Sequence, residues 1–232
     1  MKVSIQREFD FIEYDVDMND ATLLEALEYI KANIDSSLTY SSACRSGVCG
    51  SCAVRVNGKE SLSCAHKLED GDCVEPLKNV PILRDLVVDM DRAYATNAAA
   101  KAWLQTYNSE AKLTNEDEQI NAIQSDCILC GSCYSACPVY AVNGEFLGPF
   151  ALTRVWKFVS DKREGEPKEK IDIIQTNGVW DCTLCNECTV VCPQGISSKA
   201  DIEKLRVKSS QFGYMDPNFG SFGGGFDGSP TF

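Results

Sequence analysis

Eight of the thirteen cysteines in this 232-residue chain follow one spacing written twice. Cys127, Cys130, Cys133 and Cys137, followed by Pro138, read C-x2-C-x2-C-x3-C-P; Cys182, Cys185, Cys188 and Cys192, followed by Pro193, repeat it. Upstream, Cys44, Cys49 and Cys52 form C-x4-C-x2-C, with Cys64 following. Thiolate is the soft ligand that iron–sulfur cores require, and these are the spacings at which a chain wraps them. Zinc would use four ligands per site and gives no reason for unbroken runs closed by proline. A disulfide framework suits short secreted chains that lack a core, not one of this length. The expectation is three cluster sites along one chain, an electron wire.

Composition narrows the partners. A formal charge of −12 speaks against nucleic acid and against adsorption on anionic lipid. The chain contains no apolar run long enough to span a bilayer. The single histidine, His66, excludes a bis-histidine haem. Ligand-like thiols point to assembly in a reducing compartment. No N-terminal signal is read, so the cytoplasmic face of the inner membrane is expected, with export on a partner's signal as the alternative.

The N-terminal part reads as a small α+β unit. Val3 and Ile5 alternate with polar residues, Phe9 and Phe11 do so after a reversal, and together they suggest a hairpin. Thr22 and Glu25 form a capping box ahead of a helix whose apolar face is Leu23, Leu27, Ile30 and Ile34. Ala53 to Val56, Asn57-Gly58 and Lys59 to Ser63 predict a hairpin with a type I′ turn. Gly47 and Gly50 suit a loop that folds its N–H groups toward sulfur. Pro76 to Val88 reads as a crossing, and beyond it the pattern turns helical. Ala93 to Leu104 is alanine-rich, and Glu116, Asp117 and Glu118 after Thr114 favour a helix start. Ala151, Val155, Phe158 and Val159 mark an amphipathic helix. Lys162 to Lys170 alternates charge and reads as a solvated loop. Gly213 to Phe232 reads as an irregular tail ordered by a partner, if at all. Cys73 is expected to be a small buried side chain, His66 an exposed surface histidine, and Trp156 and Trp180 core.

The doubled run resembles that of two-cluster bacterial ferredoxins, in which the fourth cysteine of each run ligates the other cluster. That rule groups Cys127, Cys130, Cys133 and Cys192 on one 4Fe–4S cluster, and Cys182, Cys185 and Cys188 with Cys137 on the other. The first run, Cys44, Cys49, Cys52 and Cys64, resembles the plant-type set for 2Fe–2S.

The order of these sites resembles the iron–sulfur subunit of succinate dehydrogenase and fumarate reductase. The likeness extends to SACRSGVCGS (Ser42 to Ser51), VPILRDLVVDM (Val80 to Met90), FLGPFALTRVWKF (Phe146 to Phe158) and NGVWDCTLCNECTVVCPQGI (Asn177 to Ile196). The resemblance implies an α+β architecture: a β-grasp plant-type ferredoxin domain over 1–97, an all-α bacterial-type ferredoxin domain over 98–212, and a tail over 213–232. It implies a non-catalytic electron-transfer subunit. Its partners would be a flavoprotein with FAD and the dicarboxylate site, and a membrane-facing subunit leading to a quinone or thiol carrier. A soluble multi-cluster carrier, or a subunit of a related flavoprotein oxidoreductase with another substrate, is the alternative.

Two departures bear on the last site. Most members have a non-cysteine where this chain has Cys185 and hold 3Fe–4S there; a fourth thiolate predicts 4Fe–4S, the alternative being a free Cys185 beside 3Fe–4S. The tryptophan pair that ubiquinone-linked members carry after the first Cys-Pro is replaced by Val139, Tyr140, Ala141 and Val142. Both resemble the branch whose membrane-facing subunit is cysteine-rich and akin to heterodisulfide reductase.

Overall fold

The computed structural model describes residues 1–217. Strands β1 (Lys2–Arg7) and β2 (Asp10–Asp15) form the N-terminal hairpin, and β1 pairs in parallel with β5 (Asp72–Glu75). Strands β3 (Ala53–Val56) and β4 (Lys59–Leu62) complete a five-stranded sheet in the order β2-β1-β5-β3-β4. Helix α1 (Leu23–Asn33) packs Leu23, Leu27 and Ile30 against Val3, Ile5, Val54, Val56 and Val74.

The local signals act as their chemistry dictates. Thr22 Oγ1 accepts from the Glu25 N–H at 3.3 Å while the Glu25 carboxylate accepts from the Thr22 N–H at 2.7 Å. Asn57 and Gly58 take φ of 51° and 82°, the paired left-handed residues of a type I′ turn. Two side chains depart from expectation. Ile34 is the C-cap, half exposed, so the buried face of α1 ends at Ile30. The first hairpin reverses at Glu8 (φ 54°), which places Phe9 in the turn and Phe11 outward, leaving Tyr14 as the buried residue of β2.

The crossing is more ordered than its sequence suggests. Strands β6 (Ile82–Arg84) and β7 (Val87–Val88) form a two-stranded ribbon that turns at Asp85. Asp85 is buried and accepts from Arg7 Nε at 2.7 Å and from the Thr39 N–H at 2.8 Å, which fastens the ribbon to the sheet. Just before it, Asn79 Nδ2 donates to the carbonyls of Tyr134, Ser135 and Cys137 at 3.1, 2.8 and 3.2 Å. The crossing therefore grips both halves.

The second half is helical: α2 (Asp91–Ala99), α3 (Asn115–Gln119), α4 (Ser132–Ser135), α5 (Pro138–Val142), α6 (Pro149–Val159), α7 (Pro167–Ile173), α8 (Glu187–Val190) and α9 (Ser198–Gln211). Its core gathers Tyr134, Tyr140, Phe146, Phe150, Leu152, Val155, Ile171, Ile202 and Leu205, with Trp156 and Trp180 half-buried against it. Helix α2 stops at Ala99 because Lys101 turns left-handed (φ 46°), short of the alanine-rich stretch's end. Thr114 caps α3 through Asp117.

The stretch 162–170 is solvated only in part: Lys162, Arg163, Glu166, Lys168 and Glu169 are exposed, but two of its charges are not. Glu164 and Lys170 are fully buried and paired at 2.5 Å, and α7 begins at Pro167. The carboxylate also accepts the N–H groups of Gln105 and Thr106 at 3.0 and 3.2 Å, so the alternating charges include an internal pin. Among the described residues no helix is long and apolar enough to cross a membrane. Most of the 213–232 tail lies outside the described residues.

Candidate cluster sites

Cys44 and Cys49 lie in the loop between α1 and β3, Cys52 directly precedes β3, and Cys64 follows β4, so the NG hairpin brings the ends of the first run together. Cys52 and Cys64 Sγ stand 3.3 Å apart. The Ser46 N–H donates to Cys44 Sγ at 3.4 Å, and Cys49 Sγ lies 3.1 Å from Ser51 Oγ. Donation from the Ser46 N–H, helped by Cys49 and the Val48 N–H, lowers the Cys44 thiol to about 6. Burial, then the nearby Cys52, pushes Cys64 up.

The two long runs fold alike. Leu129 and Leu184 occupy equivalent places with φ of 53° and 55°, and Gly131 and Asn186 follow with φ of 84° and 73°. Each left-handed pair throws the chain into a one-turn helix, α4 or α8, that presents the third cysteine. The sequence reading missed these leucines, since leucine carries no conformational signal of its own.

The consequence is two cavities. One is lined by Cys127, Cys130, Cys133 and Cys192 among Ile128, Phe150 and Ile196. The other is lined by Cys137, Cys182, Cys185 and Cys188 among Val139, Phe146 and Ile202. The fourth cysteine of each run thus faces the first three of the other. Cys185 occupies the place that Cys130 holds in its own run and is exposed, whereas Cys137 and Cys188 are buried. Cys137 Sγ accepts the Tyr140 N–H, and Cys182 Sγ the Leu184 N–H, each at 3.4 Å. From α9, Arg206 donates to the carbonyls of Val179 and Cys182 at 2.8 and 2.6 Å and braces the loop.

These donor sets fit a cationic inorganic core. Burial, with repulsion from neighbouring sulfurs, raises the thiols of Cys127, Cys130 and Cys133, and lifts Cys188 to about 12. Four crowded thiolates in an apolar cavity need positive charge among them to stay ionised.

His66 is not an exposed surface histidine. It is half-buried, with Nε2 2.9 Å from Oδ2 of the fully buried Asp72, which also accepts from Asn57 Nδ2 at 2.8 Å and the Glu69 N–H at 2.9 Å. Cys73 lies half-buried in β5, outside all three sets.

Comparison with known proteins agrees with this layout. Residues 3–95 match a 2Fe-2S iron-sulfur cluster binding domain and residues 123–196 a 4Fe-4S dicluster domain. The fumarate reductase iron-sulfur subunit of Escherichia coli O6:H1 is 39% identical over 203 residues, 83% of each chain. This chain belongs to the fumarate reductase and succinate dehydrogenase iron–sulfur subunits. The mitochondrial succinate dehydrogenase [ubiquinone] iron-sulfur subunit of Dictyostelium discoideum is 31% identical over 214 residues, 83% of this subunit and 74% of that one. The fold is shared with a chain of the Mycobacterium smegmatis Sdh1 complex in the apo form, with TM-score 0.82 at 23% identity over 93% of this chain and 98% of that one. As a member, this iron–sulfur subunit is the electron carrier of an oxidoreductase, not the subunit that performs its chemistry.

Proposed function

We propose that the subunit relays electrons between a flavoprotein that oxidises succinate or reduces fumarate and a membrane-facing partner. In this reading Cys44, Cys49, Cys52 and Cys64 hold 2Fe–2S; Cys127, Cys130, Cys133 and Cys192 hold 4Fe–4S; Cys137, Cys182, Cys185 and Cys188 hold a second 4Fe–4S. When bound, such clusters supply one-electron redox steps. The chain's own part is to fix their order and surroundings. The observation that carries the reading is contiguity: Gly50, in the first loop, abuts Cys130 of the second set, and α4, which carries Cys133 of the second set, packs against α8, which carries Cys188 of the third.

Four thiols at the third site are supported by the shared cavity and by the matching backbone of Cys130 and Cys185. With the Val139-Tyr140-Ala141-Val142 sequence, this favours a cysteine-rich membrane-facing partner and a quinone or thiol carrier beyond it. FAD belongs to the flavoprotein. The subunit is peripheral, on the cytoplasmic face. The first domain is a β-grasp, its sheet embracing α1. The divisions remain 1–97, 98–212 and 213–232, the first boundary falling within α2. The test is to mix the loaded subunit anaerobically with its flavoprotein and succinate. Bleaching of the iron–sulfur absorbance that needs the flavoprotein is expected; no bleaching with succinate or with reduced flavin would contradict the relay.

A further inference from the structure

Two glycines flank Cys49, and both are left-handed, Gly47 at φ 76° and Gly50 at φ 75°. Their surroundings differ. Nothing lies within 4 Å of where a Cβ on Gly47 would stand. A Cβ on Gly50 would stand 2.7 Å from Cβ of Cys130, 2.9 Å from its Cα and 2.9 Å from the Ile128 carbonyl oxygen. The first of these falls about 0.7 Å short of the 3.4 Å at which ordinary contact begins. None of the three atoms is the free end of a flexible side chain, so a methyl group there must part the two loops. From the far side of the second site, Gln194 Nε2 donates to the Gly47 carbonyl at 3.0 Å and holds the same loop down.

We propose that Gly50 is a positioning residue that sets the separation between the first and second cluster sites, with Gln194 as the clasp that closes it. Backbone freedom alone would need glycine at 47 and 50 equally; only Gly50 is also needed for want of a side chain. The proposal rests on the reading that both sites hold clusters.

Gly47→Ala therefore serves as the matched control for Gly50→Ala, since both meet the same backbone strain. The full chain and both variants are purified anaerobically, their iron counted, and the reduced samples examined by low-temperature EPR for broadening of the 2Fe–2S signal by the neighbouring reduced cluster. Gly47→Ala should keep the parental broadening, and Gly50→Ala should lose part of it and saturate at lower microwave power. Equal broadening in the two loaded variants overturns the proposal. If Gly50→Ala does not load, Gln194→Ala decides: reduced broadening supports the clasp, and parental broadening overturns it. A parental chain without two clusters would instead defeat the underlying assignment.

Discussion

A carboxylate and an ammonium taken together out of water keep a favourable balance only when every remaining lone pair finds a donor. Glu164 meets that condition. Burial pushes its carboxyl up, but Lys170 and the N–H groups of Gln105, Thr106 and Glu166 hold it below the ordinary value. Lys170→Met should cost about 3–5 kcal/mol by leaving the carboxylate buried without its cation. Urea unfolding of the loaded subunit measures this, and an unchanged midpoint would contradict it. Asp35 stays partly exposed and is held by its donors: the Ser37 and Tyr14 hydroxyls, the Ser37 N–H and Arg7 depress its carboxyl. A depressed folded value means stabilisation present above the unfolded value of about 3.9 and lost as pH falls through the folded one. Asp35→Asn should therefore be destabilised relative to the parent at neutral pH, with the gap narrowing below about pH 4. A gap independent of pH would refute this. Neither network was legible in sequence. Alternating charges at 162–170 look the same on a solvated loop, and the groups that bury Glu164 lie some 58 or 59 residues earlier. His66 differs: its partner Asp72 is only six residues on, but no sequence pattern marks that carboxylate as buried in β5.

Elements whose cause is local were legible. The Thr22–Glu25 box and the Asn57-Gly58 turn each draw their hydrogen bonds and torsions from neighbours in the chain, and both formed where their residues required. The β6–β7 ribbon was not, since strands of three and two residues carry no periodicity and Asp85 is held by Arg7 of β1, 78 residues earlier. The cysteine runs lie between these cases. Their spacing marks the cysteines that the fold gathers into two cavities, while the left-handed Leu129 and Leu184 that shape the runs leave no trace in the sequence. Each run sends its fourth cysteine to the cavity of the other, so the clusters proposed for these cavities would staple α4 to α8. Ligation then contributes folding free energy. Cys192→Ala should lose the cluster of the Cys127 site and lower the melting temperature, while Cys73→Ser keeps the full iron content. Retention of all iron and an unchanged melting temperature in Cys192→Ala would show the crossing to be wrong.

For the whole molecule, a sheet domain and a helical domain are clamped by the crossing, with Asp85 fastened to one and Asn79 to the other. That clamp, with Gly50 seated on Cys130, holds the first thiol set against the second. Substrate chemistry has no place on this chain; function lies in the order of the sites and in what each end meets. The most direct test of three complete sites is iron and sulfide analysis with low-temperature EPR on the anaerobically purified chain, oxidised and then dithionite-reduced. Iron should match one 2Fe–2S and two 4Fe–4S centres, with no 3Fe–4S signal in the oxidised sample. A 3Fe–4S signal there would take Cys185 out of the ligand set, and zinc in place of iron would contradict the relay itself.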